Sequence, residues 1–162
     1  MNRAPRRGGG IIAATFAAAL MLTVVPLPEW LTPLRPEWTA LVLIYWCMAL
    51  PDRVGVGIGW TVGLLMDVLR AGLMGQHALS FGLLAYLTHQ LYQRLRVYPL
   101  WQQALSILVL IALHQVLMLW IKGMTGQDTG SWTHWLPVLS SVLLWPPLFL
   151  VLRGLRRHFR VT

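Results

Sequence analysis

Chemistry in this chain would have to start from very few polar groups. Its 162 residues hold five acidic side chains (Glu29, Glu37, Asp52, Asp67 and Asp128), five histidines (His77, His89, His114, His134 and His158) and one cysteine, Cys47. Of the acids, only Asp67 lies inside an apolar run, so paired-carboxylate acid–base chemistry lacks its second member. Neither G-x-S-x-G nor H-E-x-x-H occurs, and Gly130–Ser131 near His134 has no third group in its polar loop to complete a nucleophilic site. The histidines are scattered without the i, i+3 or i+4 spacing that sets two ligands on one helical face. These residue types predict no enzyme, no cofactor and no metal. Cys47, inside an apolar run, reads as a small buried hydrophobe with no intrachain disulfide open to it.

Asp67 is placed by what precedes it. Gly55, Gly59, Gly63 and Asp67 recur every four residues, and on a helix such residues form one stripe. Three absent side chains leave a groove where a neighbouring backbone can approach, the arrangement by which helices associate in lipid. A carboxylate costs about 2.5–3.5 kcal/mol at a bilayer centre and less near a surface. Counted from Val54 at about 1.5 Å per residue, Asp67 lies roughly 20 Å along its helix, near the far interface of a core about 30 Å thick. The expectation is a close helix contact along Gly55, Gly59 and Gly63, with Asp67 paired to a donor, Arg70 and His77 being nearest in sequence. Gly59→Leu is then expected to lower the amount of protein. Asp67→Asn keeps the size and most of the hydrogen-bonding capacity, so the variant is expected to accumulate normally and to lose only what the charge does. His114, beside Gln115 in a later apolar run, must face a partner helix, since lipid offers its ring no hydrogen bond.

The elements that carry these residues follow from composition. Hydrophobic residues make up 57% of the chain and charged residues 11%, well below the roughly 25% charged content of soluble domains, and mean hydropathy is +0.62. The fold class expected is an all-α polytopic membrane protein, one integral domain with spans at about 11–27, 36–50, 54–70, 77–92, 100–121 and 135–152, then a basic tail at 153–162. The first run is longer than a signal-peptide core and lacks an A-x-A-like cleavage site, so it reads as a retained helix ended by Pro26 and Pro28. The second is short, about 22 Å with Pro36 and Glu37 included, and is expected to span only with a thinned bilayer or with Trp38 and the Asp52–Arg53 turn as anchors.

Orientation follows from counting Lys and Arg. With a cytoplasmic N-terminus and six spans, Arg3, Arg6, Arg7, Arg53, Arg94, Arg96, Arg153, Arg156, Arg157 and Arg160 share one side, and Arg35, Arg70 and Lys122 the other. That asymmetry fits both termini in the cytoplasm. The formal net charge of +8 is spread in short clusters between apolar runs, which excludes the solvated basic face of a nucleic-acid binder. Pro146 and Pro147 predict a kink or broken turn in the last span. Arg153, Arg156, Arg157 and Arg160 read as a cytoplasmic anchor attracted to anionic lipids. The third and sixth runs, interrupted by glycines and by prolines, match the positional pattern of some transporters with inverted repeats.

Several stretches carry a resemblance. RPEWTALVLIYWCMALPDRVGVGIGW, GLLMDVLRAGLMGQHAL, AYL, LWQQAL and VLLWPPLFLVLRGLRRHF, in order over about residues 35–160, resemble the bacterial rod shape-determining MreD family. The most specific parts are Arg35–Pro36–x–Trp38, Tyr45–Trp46 with Ala49–Leu50–Pro51, the Gly63-to-Asp67 spacing and Trp145–Pro146. The resemblance implies a non-catalytic scaffold in the bacterial inner membrane, part of the elongation machinery that sets rod shape and lateral peptidoglycan synthesis. Its implied partners are MreC, MreB, and RodA with its penicillin-binding transpeptidase. It also implies a helix bundle similar to the substrate-binding subunits of energy-coupling-factor transporters, which keeps a small-molecule-binding subunit or transporter as the alternative. The family brings no catalytic residues to carry over.

Overall fold

Every residue from Thr39 to Ala49 is buried, so the helix they form is surrounded by protein on all sides. This helix, α2 (Trp38–Ala49), is the axis about which the computed structural model is built; the structure describes residues 7–162. The others are α1 (Gly9–Val24), α3 (Val56–Leu69), α4 (Gln76–Val97), α5 (Leu100–Met124) and α6 (Leu136–His158), with short 3-10 turns at Thr32–Leu34 and Trp132–Trp135. No strand occurs among the described residues. A helix apolar all round is stable only when enclosed, and α2 packs against α1, α4 and α6. Its twelve residues give about 18 Å, and along that length the helix meets protein. Trp38, at the start of α2, is half-buried and packs against the core.

The core around α2 is aromatic, and both of its buried indole nitrogens are hydrogen-bonded. Tyr45 meets Trp46 edge-on with ring centroids 5.2 Å apart, and Phe149 of α6 at 5.6 Å. Trp46 Nε1 donates to Thr15 Oγ1 of α1 at 2.9 Å, and the Glu37 N–H donates to Ser141 Oγ of α6 at 2.9 Å. Gln103 of α5 donates to the Leu95 carbonyl of α4 at 2.8 Å and accepts from Trp145 Nε1 of α6 at 3.4 Å. These bonds lock neighbouring helices where apolar attraction is weak.

The bundle has two ends of different character. At one, Arg53 donates to the carbonyls of Arg7 and Thr162, the Thr162 N–H donates to the Arg7 carbonyl, and Arg96 donates to the Met48 and Ala49 carbonyls. The two termini, the α2–α3 turn and the α4–α5 turn therefore meet there. At the other, Thr23, Arg35, Arg70, Lys122 and His134 line one cavity, which brings the remaining three connections together. Arg7, Arg53, Arg94, Arg96, Arg153, Arg156, Arg157 and Arg160 belong to the first end and Arg35, Arg70 and Lys122 to the second; Arg3 and Arg6 lie outside the described residues.

Several boundaries differ from those expected. α3 starts at Val56, after the Asp52–Arg53 turn, and α4 runs on to Val97. The basic segment is helical through His158, because its Leu and Arg residues favour helix and nothing breaks it. α6 also continues through Pro146 and Pro147 without a broken turn. Helices at 100–124 and 132–158 are long and apolar enough to cross a membrane, while α1 and α3 are apolar but shorter.

Candidate functional site

The polar interior is concentrated where α3, α4 and α5 approach the second end. Gly59 and Gly63 lie on the face of α3 that meets α4: a Cβ on Gly63 would stand 2.5 Å from Ala78 N and from the His77 carbonyl oxygen, and one on Gly59 would stand 2.7 Å from the Phe81 carbonyl oxygen. Both distances are shorter than van der Waals contact allows, so only glycine lets the backbones come this close. Gly55 takes no part. It precedes α3 in extended backbone, and its Cβ would meet nothing within 4 Å.

One turn beyond Gly63, Asp67 is 1% exposed. Its carboxylate accepts from the backbone N–H groups of Gly75 at 2.8 Å, His77 at 3.0 Å and Ala78 at 3.4 Å, and lies 2.8 Å from His77 Nδ1. A carboxylate only accepts, so Nδ1 carries the proton. The N–H groups at the start of a helix have no partner within it, and that end carries partial positive charge. Asp67 thus caps α4 from the neighbouring helix, where the chain offers no local cap. Gly75 makes this possible with φ 98, a left-handed conformation that favours glycine. Arg70, the other donor expected near Asp67, is exposed.

Beside this clamp sits a second group. The rings of His77 and His114 are 6.4 Å apart, His114 Nδ1 bonds Ser80 Oγ of α4, and His114 Nε2 lies 4.0 Å from Glu37 Oε2. The Ser80 hydroxyl and Nδ1 share a hydrogen bond whose donor is set by the ring's tautomer, and the Glu37 carboxylate faces the other ring nitrogen. Glu37 is thus a second acid at the bundle interior, where the sequence had left Asp67 alone. Its place just before the apolar run of α2, at a helix start that favours negative charge, was a usable signal. Ser80 carried none. Among the described residues no three His, Cys, Asp or Glu side chains are grouped to hold a metal.

Above these groups opens a polar cavity of about 540 Å³, bounded by Arg35, Glu37, Arg70, Lys122, Thr133 and His134 among others. Arg35 donates to the carbonyls of Thr23 and Val25, closing the C-terminal end of α1 as Arg96 closes that of α2. Asp67, Arg35 and Arg96 thus each satisfy backbone groups at a helix terminus that lipid could not. Pro146 and Pro147 lie apart from this cluster, on α6 beside the buried Trp145, and Arg153, Arg156, Arg157 and Arg160 lie at the opposite end.

The family model described as rod shape-determining protein MreD matches residues 8–155. The chain is 31% identical over 150 residues to the rod shape-determining protein MreD of Haemophilus influenzae, covering 93% of each chain. No solved structure matches it. The match embraces the glycine face, the Asp67 clamp and most of α6, and by it this chain belongs to the MreD family of rod shape-determining proteins.

Proposed function

We propose that the protein is a non-catalytic scaffold of the bacterial cell-elongation complex, crossing the inner membrane six times with both termini in the cytoplasm. Membership of the MreD family supports a role in rod shape determination. The observation that carries the membrane reading is the charge division between the two ends, eight Lys and Arg against three among the described residues, which fits the positive-inside rule. Outward-facing apolar residues such as Trp60, Leu65, Leu139 and Leu143 would meet lipid or the spans of partners. The partners proposed are MreC, MreB, and RodA with its transpeptidase, in support of lateral peptidoglycan synthesis.

The topology is tested with single cysteines in a Cys47→Ser background and an impermeant thiol reagent on whole cells. Cysteine at Thr32 or Gln127 is expected to react, and at Gln93 or Arg157 to stay unlabelled. Gln127 serves better than Gly126, whose φ of 77 a cysteine would strain. Labelling at both ends, or the reverse pattern, removes the six-span reading.

A second reading rests on the 540 Å³ polar cavity, whose size and mixed charges suit a small ligand. A binding subunit would be stabilised against heat by that ligand, by about 2.7 kcal/mol at a hundredfold excess over Kd. A scaffold would not.

A further inference from the structure

The arginine-rich end carries more than an orientation signal. Arg53, Arg96 and Arg156 line a cavity of about 390 Å³, and Arg96 and Arg156 continue with Arg153 into a neighbouring one of about 310 Å³. Asp52 borders the first, yet the ion pairs found among the described residues, His77–Asp67 and His114–Glu37, are both at the far end. Four guanidinium groups therefore share a pair of cavities with no Asp or Glu side chain bonded to them among the described residues, Arg53 donating instead to the backbone oxygens of Arg7 and Thr162. Arg53 also stands at the mouth of an apolar groove of about 410 Å³ between α1 and α3, walled by Ile12, Phe16, Leu20, Ile58, Val62 and Leu65. The groove runs from Gly9 to Leu20 along α1, about 16 Å at 1.5 Å per residue.

A charged cavity and an apolar channel joined at one arginine have the shape of an amphiphile with an anionic head. We propose that this end binds one anionic phospholipid, its phosphate held by Arg53, Arg96 and Arg156 and one acyl chain laid along the α1–α3 groove. The occupant is anionic because three arginines line the cavity against a single acidic side chain, Asp52, and guanidinium forms charge-assisted hydrogen bonds with phosphate. It must carry a chain because the groove opens from the same arginine. In lipid the groove gains little by hydrophobicity, since surrounding acyl chains are equally apolar. The arginines supply the affinity and the groove the orientation. This assignment rests on the membrane reading but on no protein partner, so it can fail without the scaffold failing, and the reverse.

The test uses the full chain purified in a neutral detergent, with thermal unfolding followed as dioleoyl phosphatidylglycerol is titrated into mixed micelles. A saturable rise in Tm is expected. Arg156→Gln and Arg53→Gln should each raise the half-saturating lipid concentration about tenfold or more. Ala17→Phe, filling the groove from a wall position whose side chain is exposed, should raise it similarly with every charge intact. Each variant's Tm without lipid reports whether it folds. An equal rise with phosphatidylcholine would show that head-group charge is irrelevant and overturn the proposal. So would an equal rise with inorganic phosphate, which marks a simple anion site, or with a polyglutamate peptide, which marks a protein-docking face. Half-saturation unchanged in the folded variants would overturn it too.

Discussion

Gly63→Ala is expected to destabilise the protein strongly, although alanine is the better helix former. In the middle of a helix, replacing Gly by Ala ordinarily gains about 0.8–1 kcal/mol. At Gly57 of α3, where a Cβ would meet nothing within 4 Å, that gain should be realised or nearly so. At Gly63 the added carbon would lie 2.5 Å from Ala78 N and the His77 carbonyl oxygen, atoms of the α4 backbone that cannot swing aside as a flexible side chain can. α3 and α4 must then separate, which stretches the bonds from Asp67 to Gly75, His77 and Ala78 as well. Overpacking alone costs about 1–3 kcal/mol, and the loosened clamp adds to it. Thermal unfolding of the purified variants should show Gly63→Ala lowered and Gly57→Ala and Gly55→Ala unchanged or raised. Equal behaviour at the three positions would mean that the α3–α4 contact is not close.

Asp67→Asn is expected to fail as a structure. This departs from the expectation from sequence, that asparagine keeps the size and most of the hydrogen-bonding capacity and so lets the protein accumulate. Around Asp67 the structure places the N–H groups of Gly75, His77 and Ala78 and the ring nitrogen of His77. Asparagine has one acceptor oxygen for them and turns an NH₂ toward the rest. Leaving buried donors unpaired costs about 1–3 kcal/mol, and the interaction of the carboxylate with the positive end of α4 is lost besides. The amount of Asp67→Asn protein in membranes should fall well below wild type. If it accumulates normally and only cell shape fails, the carboxylate acts outside the clamp described here.

The sequence showed helices and spacing well and showed poorly what only tertiary contact creates. All six helices follow apolar runs that Pro, Gly and charged turns interrupt, and the four-residue step from Gly59 through Gly63 to Asp67 marks the face that meets α4. That step overreached at Gly55, since periodicity does not tell where a helix begins, and α3 begins one residue later. His77, ten residues from Asp67, was within reach as its partner. Glu37 and His114 were not, being far apart in sequence and joined only because α2 and α5 both border the same end. The enclosure of α2 was hidden for a related reason: an apolar run looks alike whether lipid or protein surrounds it.

The central claim is that the protein holds other membrane proteins together. Its most direct test is recovery of the tagged chain from gently solubilised membranes of its own cell, with the co-purifying proteins quantified against it. The scaffold account predicts that MreC and the elongation glycosyltransferase are retained in fixed proportion to the chain. It also predicts that this proportion falls, per molecule recovered, in the Gly63→Ala variant, whose α3–α4 pair is displaced. Recovery of the wild-type chain alone, from cells that keep their rod shape only while it is present, would contradict the account and leave a role in shape that does not pass through a stable complex.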